Sequence, residues 1–249
     1  MMRLEVAVVG YRAMSEEQKF ASEAERVRQE YYRRRIELPA DMYSLAKPVN
    51  MFFQTELCRA LVPQLDQAGF FPLKGRRILD VGCGPGNWLL QFAQWGAHFP
   101  DLCGIDLDEN RLAEARRRCP GSDLRQSDAT HLPWDSESFD VVSQFVVFTS
   151  ILDRDVKRAV AAEMMRILKP DGVIIWHDFR VDNPKNRAVR GVNASEIREL
   201  FRGYQVRLQS VTLAPPIARA LVPFSWSAAL LLEKVPFLRT HYLGLIQRS

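Results

Sequence analysis

Three glycines at alternate positions, Gly82, Gly84 and Gly86, stand between a short apolar run, Ile78 to Val81, and a stretch with helical patterning that starts near Asn87. Glycine permits positive φ and lets a ligand approach the backbone closely. The helix that follows offers unpaired N–H groups to an anionic group. The spacing is G-x-G-x-G, with Pro85 tightening the turn. A dinucleotide fingerprint needs G-x-G-x-x-G, and its last position falls here on Asn87. A phosphate-cradling G-x-x-x-x-G-K-[ST] run is absent from the sequence.

Carboxylates follow at intervals suited to a nucleoside. Asp106 ends the second apolar run, about twenty residues past the loop, where an acidic side chain accepts from both hydroxyls of a ribose. Asp108 suits a helix cap. Asp128 follows the third candidate strand, in reach of an exocyclic amino group. His177 closes the fifth, with Asp178 beside it, and histidine titrates near neutrality. It is the candidate general base, with an ordinary strand-end hydrogen bond as the alternative. The four cysteines, Cys58, Cys83, Cys103 and Cys119, form no C-x-x-C pair and have no zinc spacing with histidine. A metal site is therefore not expected, and reduced thiols fit a cytoplasmic protein.

These residues must be held by alternating strands and helices. Candidate strands are RRILDV, DLCGIDL, SDLRQSD, FDVVSQFVVF, GVIIWHDF, YQVRLQSVTL and THYLGLIQR, with helices after the first, second and fourth. Lys169 to Gly172 reads as a turn ahead of the fifth strand, and Asn193 with Glu196 as a capping box. The expected architecture is α/β, a doubly wound and mostly parallel seven-stranded sheet. Ligands of such sheets bind at the carboxyl ends of the strands. Two helical stretches precede it: a charge-rich one from Ser15, with Phe20, Val27 and Tyr31 near one face, and one over 41–67 with Met51, Leu57, Leu61 and Leu65 as buried positions. Residues 1–70 are thus an N-terminal helical cap or extension and 71–249 the main domain, with 214–237 inserted before the last strand. The first twenty residues look poorly anchored, and Val6 to Val9 is too short for a signal-peptide core.

The ordered segments DVGCGPG, GIDLD, SDATHLPW, FDVV and LKPDGV, over about residues 75–180, together resemble the class I S-adenosylmethionine-dependent methyltransferases, in particular their small-molecule, type 11-like branch. The resemblance implies a Rossmann-like methyltransferase fold, S-adenosylmethionine as cofactor and S-adenosylhomocysteine as product. It implies that Gly82, Gly84 and Gly86, with Cys83 and Asn87 in the same loop, pass under the methionine part, and that Asp80 orders the loop and faces the cofactor's ammonium. Asp106 resembles the ribose ligand, Leu107 the residue against adenine, and Asp128 and Ala129 the adenine-edge contacts. Gln144 and Phe145 resemble the residues beside the methionine part and the sulfonium. The charged Arg26–Arg35 stretch and residues 214–237 lie outside the family pattern and are where the acceptor would be chosen.

A formal charge of +4 over 249 residues is too weak to argue for a nucleic-acid partner. The place after the fourth strand reads Ser143-Gln-Phe-Val146, without the N/D-P-P-Y/F motif of base N-methylating enzymes. No stretch has the apolar length of a membrane span. The apolar 214–237 segment, with Arg219, Lys234 and Arg239 along it or just beyond it, reads as a lid over a hydrophobic acceptor, a peripheral membrane contact, or an insertion packed on the domain's own core. The expected function is methyl transfer to a small or lipid-like acceptor. The alternatives are an RNA or protein methyltransferase and a non-catalytic cofactor-binding subunit. Oligomeric state is not legible.

Overall fold

The computed structural model describes residues 15–39, 41–184 and 186–249. The Val6 to Val9 run and most of the poorly anchored N-terminus lie outside them.

The strands are β1 (Ile78–Val81), β2 (Leu102–Asp106), β3 (Asp123–Gln126), β4 (Phe139–Phe145), β5 (Leu168–Phe179), β6 (Tyr204–Leu213) and β7 (Arg239–Arg248). They form one sheet in the order β3-β2-β1-β4-β5-β7-β6. The first five run parallel, and β7 lies antiparallel between β5 and β6. Every residue of β1 and β2 is buried, as a parallel strand covered on both faces requires. The edge strand β6 alternates half-buried with exposed positions over most of its length, placing Gln205, Arg207 and Gln209 toward water. Strand order reverses between β1 and β4, and this switch point opens a crevice at their carboxyl ends.

The expected turn at Lys169 to Gly172 is instead an irregularity inside β5. Phe139 pairs with Leu168 and Val141 with Val173, so the extra residues bulge while the ladder continues. Lys169 is held there by the Asp140 carboxylate at 3.0 Å.

Helices α3 (Asn87–Gln94), α4 (Glu109–Arg118), α5 (Arg154–Ile167) and α6 (Ala194–Leu200) cover the sheet. Asp108, Asp153 and Asn193 cap α4, α5 and α6 with side chains that accept from first-turn amides. Ahead of the sheet, α1 (Glu16–Glu37) begins at a complete capping box between Ser15 and Gln18, and α2 (Pro48–Gln67) begins with proline at its first position. Leu57, Leu61 and Leu65 are buried as their spacing predicts. Met51 is not: it is 49% exposed, because Phe52, one position on, carries the inward face.

The 214–237 segment forms α7 (Pro215–Leu221) and α8 (Trp226–Glu233). Ala218, Val222 and Ala229 close on Phe52 and Leu213 in a small core of their own, apart from the two that flank the sheet. The insertion therefore packs on α2 and the end of β6.

Candidate active site

The crevice at the switch point continues into a cavity of about 1550 Å³ that runs from the β1–β2 edge to the β5–β7 edge and is covered by α1. The sheet supplies its floor because successive strand ends stop at one level.

At the β1 end, Asp80 is fully buried and accepts from the Ser143 hydroxyl at 2.7 Å. Burial pushes its carboxyl up to about 7, and the nearby Asp106 charge adds to the shift. Gly82, Gly84 and Gly86 all have positive φ, as the loop's reversal demands. A side chain at Gly82 would meet the Val147 methyl at 2.6 Å, and one at Gly84 would collide with the Arg111 guanidinium. Cys83 is buried under the loop, its thiol pushed upward by burial. Arg118 ties the far side of the loop by donating to the Pro85 carbonyl at 2.8 Å and the Asn87 side chain at 2.7 Å.

Asp106 is the hub. Its carboxylate accepts from the Gly84 amide at 2.8 Å and the Asp108 amide at 2.9 Å, and the Arg111 guanidinium lies 3.4 Å away. An ionised carboxylate offers about four lone-pair sites, so capacity for a diol remains. Sequence reading missed Arg111. A signal was present: it stands in the first turn of α4, where the helix dipole disfavours a cation, five residues past the Asp106 carboxylate that offsets it. Above it, the Tyr31 ring of α1 lies 5.0 Å from the guanidinium carbon, which places the cap over the β2 end of the cavity. Helix α1 is fixed there because Glu23 accepts from the Leu152 amide and Arg26 donates to the Ser150 carbonyl.

Leu107, Asp128 and Ala129 also line the cavity. Asp128 is partly engaged, accepting from the Thr130 amide at 2.9 Å and from its hydroxyl. Gln144 is not on the wall. It is buried within β4, its carbonyl oxygen accepts from the Val147 amide at 3.1 Å, and its amide nitrogen has no partner among the described residues. Of the expected pair, Phe145 lines the cavity, together with Val146 and Val147 of the turn after it.

That turn is strained. Val146 has φ of 61°, a region β-branched residues rarely enter, and its amide donates to the His177 carbonyl at 2.8 Å. Thr212, also on the cavity wall, has φ of 65°. Such strain costs about 1–3 kcal/mol per residue and concentrates at functional sites.

The β5 side is aromatic. Phe145 stacks on Trp88 at 3.7 Å and stands 6.0 Å from the His177 ring, which stacks parallel to His241 of β7 at 4.8 Å. His177 is buried, both its ring nitrogens lack partners among the described residues, and burial pulls its pKa down to about 3. Asp178 is no orienter for it. Adjacent strand residues point to opposite faces, and Asp178 accepts from the Thr149 amide at 3.0 Å and from its hydroxyl on the other side of the sheet. The reading of His177 as a general base is corrected accordingly: a neutral imidazole with so low a pKa has little driving force to take a proton near pH 7. His241, which sequence reading passed over, is brought to the site only by the antiparallel pairing of β7 with β5.

The residues present fit S-adenosylmethionine. Two carboxylates flank a glycine loop whose geometry excludes side chains, and the volume exceeds that of one nucleoside-sized ligand. Among the described residues no cluster of His, Cys, Asp or Glu has the arrangement of a metal site.

With this geometry in place, comparison with known proteins gives the class. Residues 78–172 match the family described as "Methyltransferase domain". Across 111 residues the chain is 35% identical to a demethylmenaquinone methyltransferase of Clavibacter sepedonicus, covering 43% of each. Across 130 residues it is 32% identical to phthiotriol/phenolphthiotriol dimycocerosates methyltransferase 1 of Mycobacterium ulcerans, covering 51% of this chain and 46% of that one. The alignments thus span about half the length of these curated relatives. In fold, the chain resembles the Burkholderia thailandensis 1,6-didemethyltoxoflavin-N1-methyltransferase, solved with 1,6-didemethyltoxoflavin and S-adenosylhomocysteine bound, at a TM-score of 0.63 and 16% identity over 95% of this chain and 92% of that one. Residues 78–172 thus match a methyltransferase domain, set in a fold shared with a methyltransferase solved with S-adenosylhomocysteine bound.

Proposed function

We propose that the protein transfers a methyl group from S-adenosylmethionine to a hydrophobic, ring-bearing small molecule that lies against Phe145, His177 and His241. The observation that carries this reading is the continuity of one cavity. Asp80, Gly82 and Asp106 line one end, and the aromatic and imidazole rings line the other. The relatives named for quinone and phenolic-lipid methylation, and the fold neighbour holding a planar heterocycle, support the same acceptor chemistry.

Bound S-adenosylmethionine supplies an electrophilic methyl carbon on a sulfonium leaving group. The chain's own part is to hold and orient. Asp106 takes the ribose hydroxyls, the backbone around Gly82, Cys83 and Gly84 holds the amino-acid portion, Asp80, ionised once that cation lies beside it, balances its ammonium, and Leu107, Asp128 and Ala129 bracket the adenine. Asn87 and Gly86 set the start of α3 beneath it. Tyr31 and the rest of α1 keep water out. Neutral His177 donates from one ring nitrogen or accepts at the other, and so fixes a polar atom of the acceptor. Positioning of this kind supplies about 7–11 kcal/mol toward a bimolecular reaction.

Titration calorimetry with S-adenosylhomocysteine, followed by an assay of its release with a hydroxylated naphthoquinone, a phenolic lipid, an RNA and a protein substrate, tests the reading. Binding together with turnover of either ring compound supports it. No binding, or turnover confined to RNA or protein, overturns it, and binding without any turnover points to a cofactor-binding subunit.

A further inference from the structure

Helix α8 is apolar on both sides. Its inner face, Trp226, Ala229 and Leu230, joins Phe52 and Ala218 in the satellite core. Its outer face is left uncovered by the described residues. Leu231 is 64% exposed, Phe224 in the turn before the helix 88%, and Phe237 in the turn after it 80%. A helix apolar all round belongs in a core or in lipid.

The exposed charges carried by this segment have one sign. From Pro215 to Leu238 the ionisable side chains are Arg219, Glu233 and Lys234. Arg219 and Lys234 are exposed, whereas Glu233 is turned inward, buried, and accepts from the Thr212 amide at 3.1 Å. Exposed apolar side chains on a segment whose only exposed charges are the cations Arg219 and Lys234 match an anionic lipid surface, where burial and electrostatic attraction add. A second copy fits less well, because a two-fold contact through the same patch sets Arg219 and Lys234 against their own counterparts.

We propose that Phe224, Leu231 and Phe237 dock the protein on the surface of an anionic phospholipid bilayer. The same insertion reaches the cavity, since Pro215 and Arg219 of α7 line it. Docking therefore places the cavity wall next to the membrane, where a lipophilic acceptor resides. Delivery of the acceptor rests on the function proposed above, and the docking itself does not.

Co-sedimentation with vesicles of phosphatidylcholine, with and without phosphatidylglycerol, tests this. The protein is expected to pellet with the phosphatidylglycerol vesicles. F224S/F237S should lower the partition coefficient at least about tenfold, because two exposed phenyl rings no longer leave water. K234Q should weaken binding to the anionic vesicles only. Circular dichroism shows that the variants remain folded, and calorimetry with S-adenosylhomocysteine separates the two proposals: vesicle binding without cofactor binding leaves docking intact and removes methyl transfer. Wild-type protein that stays in the supernatant with both vesicle types, or F224S/F237S that pellets like wild type, overturns the docking. So does sedimentation velocity showing a dimer that F224S/F237S dissociates, which would assign the face to a second copy.

Discussion

The Arg111 guanidinium rests 3.4 Å from the Asp106 carboxylate, on the same glycine loop whose Gly84 amide donates to that carboxylate. The proposed ribose ligand is thus oriented before any ligand arrives, by the Gly84 N–H and the Arg111 cation at Oδ2 and by the Asp108 N–H at Oδ1. A carboxylate fixed in this way loses little freedom on binding.

Replacement of Asp106 by Asn should weaken S-adenosylhomocysteine binding on the order of tenfold to a hundredfold, the worth of charge-assisted hydrogen bonds to a diol. Calorimetry gives the number directly. An unchanged affinity would remove Asp106 from the cofactor site.

Asp80 carries a pH signature. Its carboxyl is raised from 3.8 to about 7, chiefly by burial. The folded protein therefore holds this proton more tightly than the unfolded chain does. Its contribution to stability is complete below pH 3.8 and is lost as pH rises through about 7. Asp80→Asn has no such loss. The melting-temperature difference, variant minus wild type, should become more positive between about pH 5 and pH 8. A difference that is flat or falls with pH contradicts the burial of a protonated Asp80.

His177 should separate orientation from proton transfer. His177→Ala is expected to lower turnover of a ring-bearing acceptor while leaving S-adenosylhomocysteine affinity within about twofold, and His177→Gln should restore part of the turnover because an amide also donates and accepts. With its pKa near 3, wild-type turnover should show no inflection near pH 6.5 from this group. Such an inflection, lost in His177→Gln, would return the residue to the role of base.

Phe52 joins the insertion to the body of the fold. It is fully buried, and its ring meets Trp226 edge-on at 5.2 Å. Phe52→Ala should cost about 3–5 kcal/mol in urea unfolding, the range for a large core aromatic. A cost under about 1 kcal/mol would mean that α7 and α8 do not depend on this contact.

The sequence by itself determined the seven strands, the glycine loop between β1 and α3, and the carboxylates at the ends of β1, β2 and β3. Each is written in local chemistry: apolar runs too short for helices, glycines where φ is positive, caps such as Asp108 and Asn193 that accept from the next turn. It carried the resemblance to methyltransferases for the same reason, since the motifs lie within about a hundred residues and in one order. What only the tertiary structure decided lies across the sheet. The pairing of β7 with β5 stacks His241 on His177, and α1 lays Tyr31 over Arg111. The burial that keeps His177 neutral, and the alternation that turns Asp178 away toward Thr149, arise from layers far apart in sequence. A one-dimensional pattern records which residues can face a core. It does not record which distant partner removes the water from around them, and that desolvation sets what a titratable group can do.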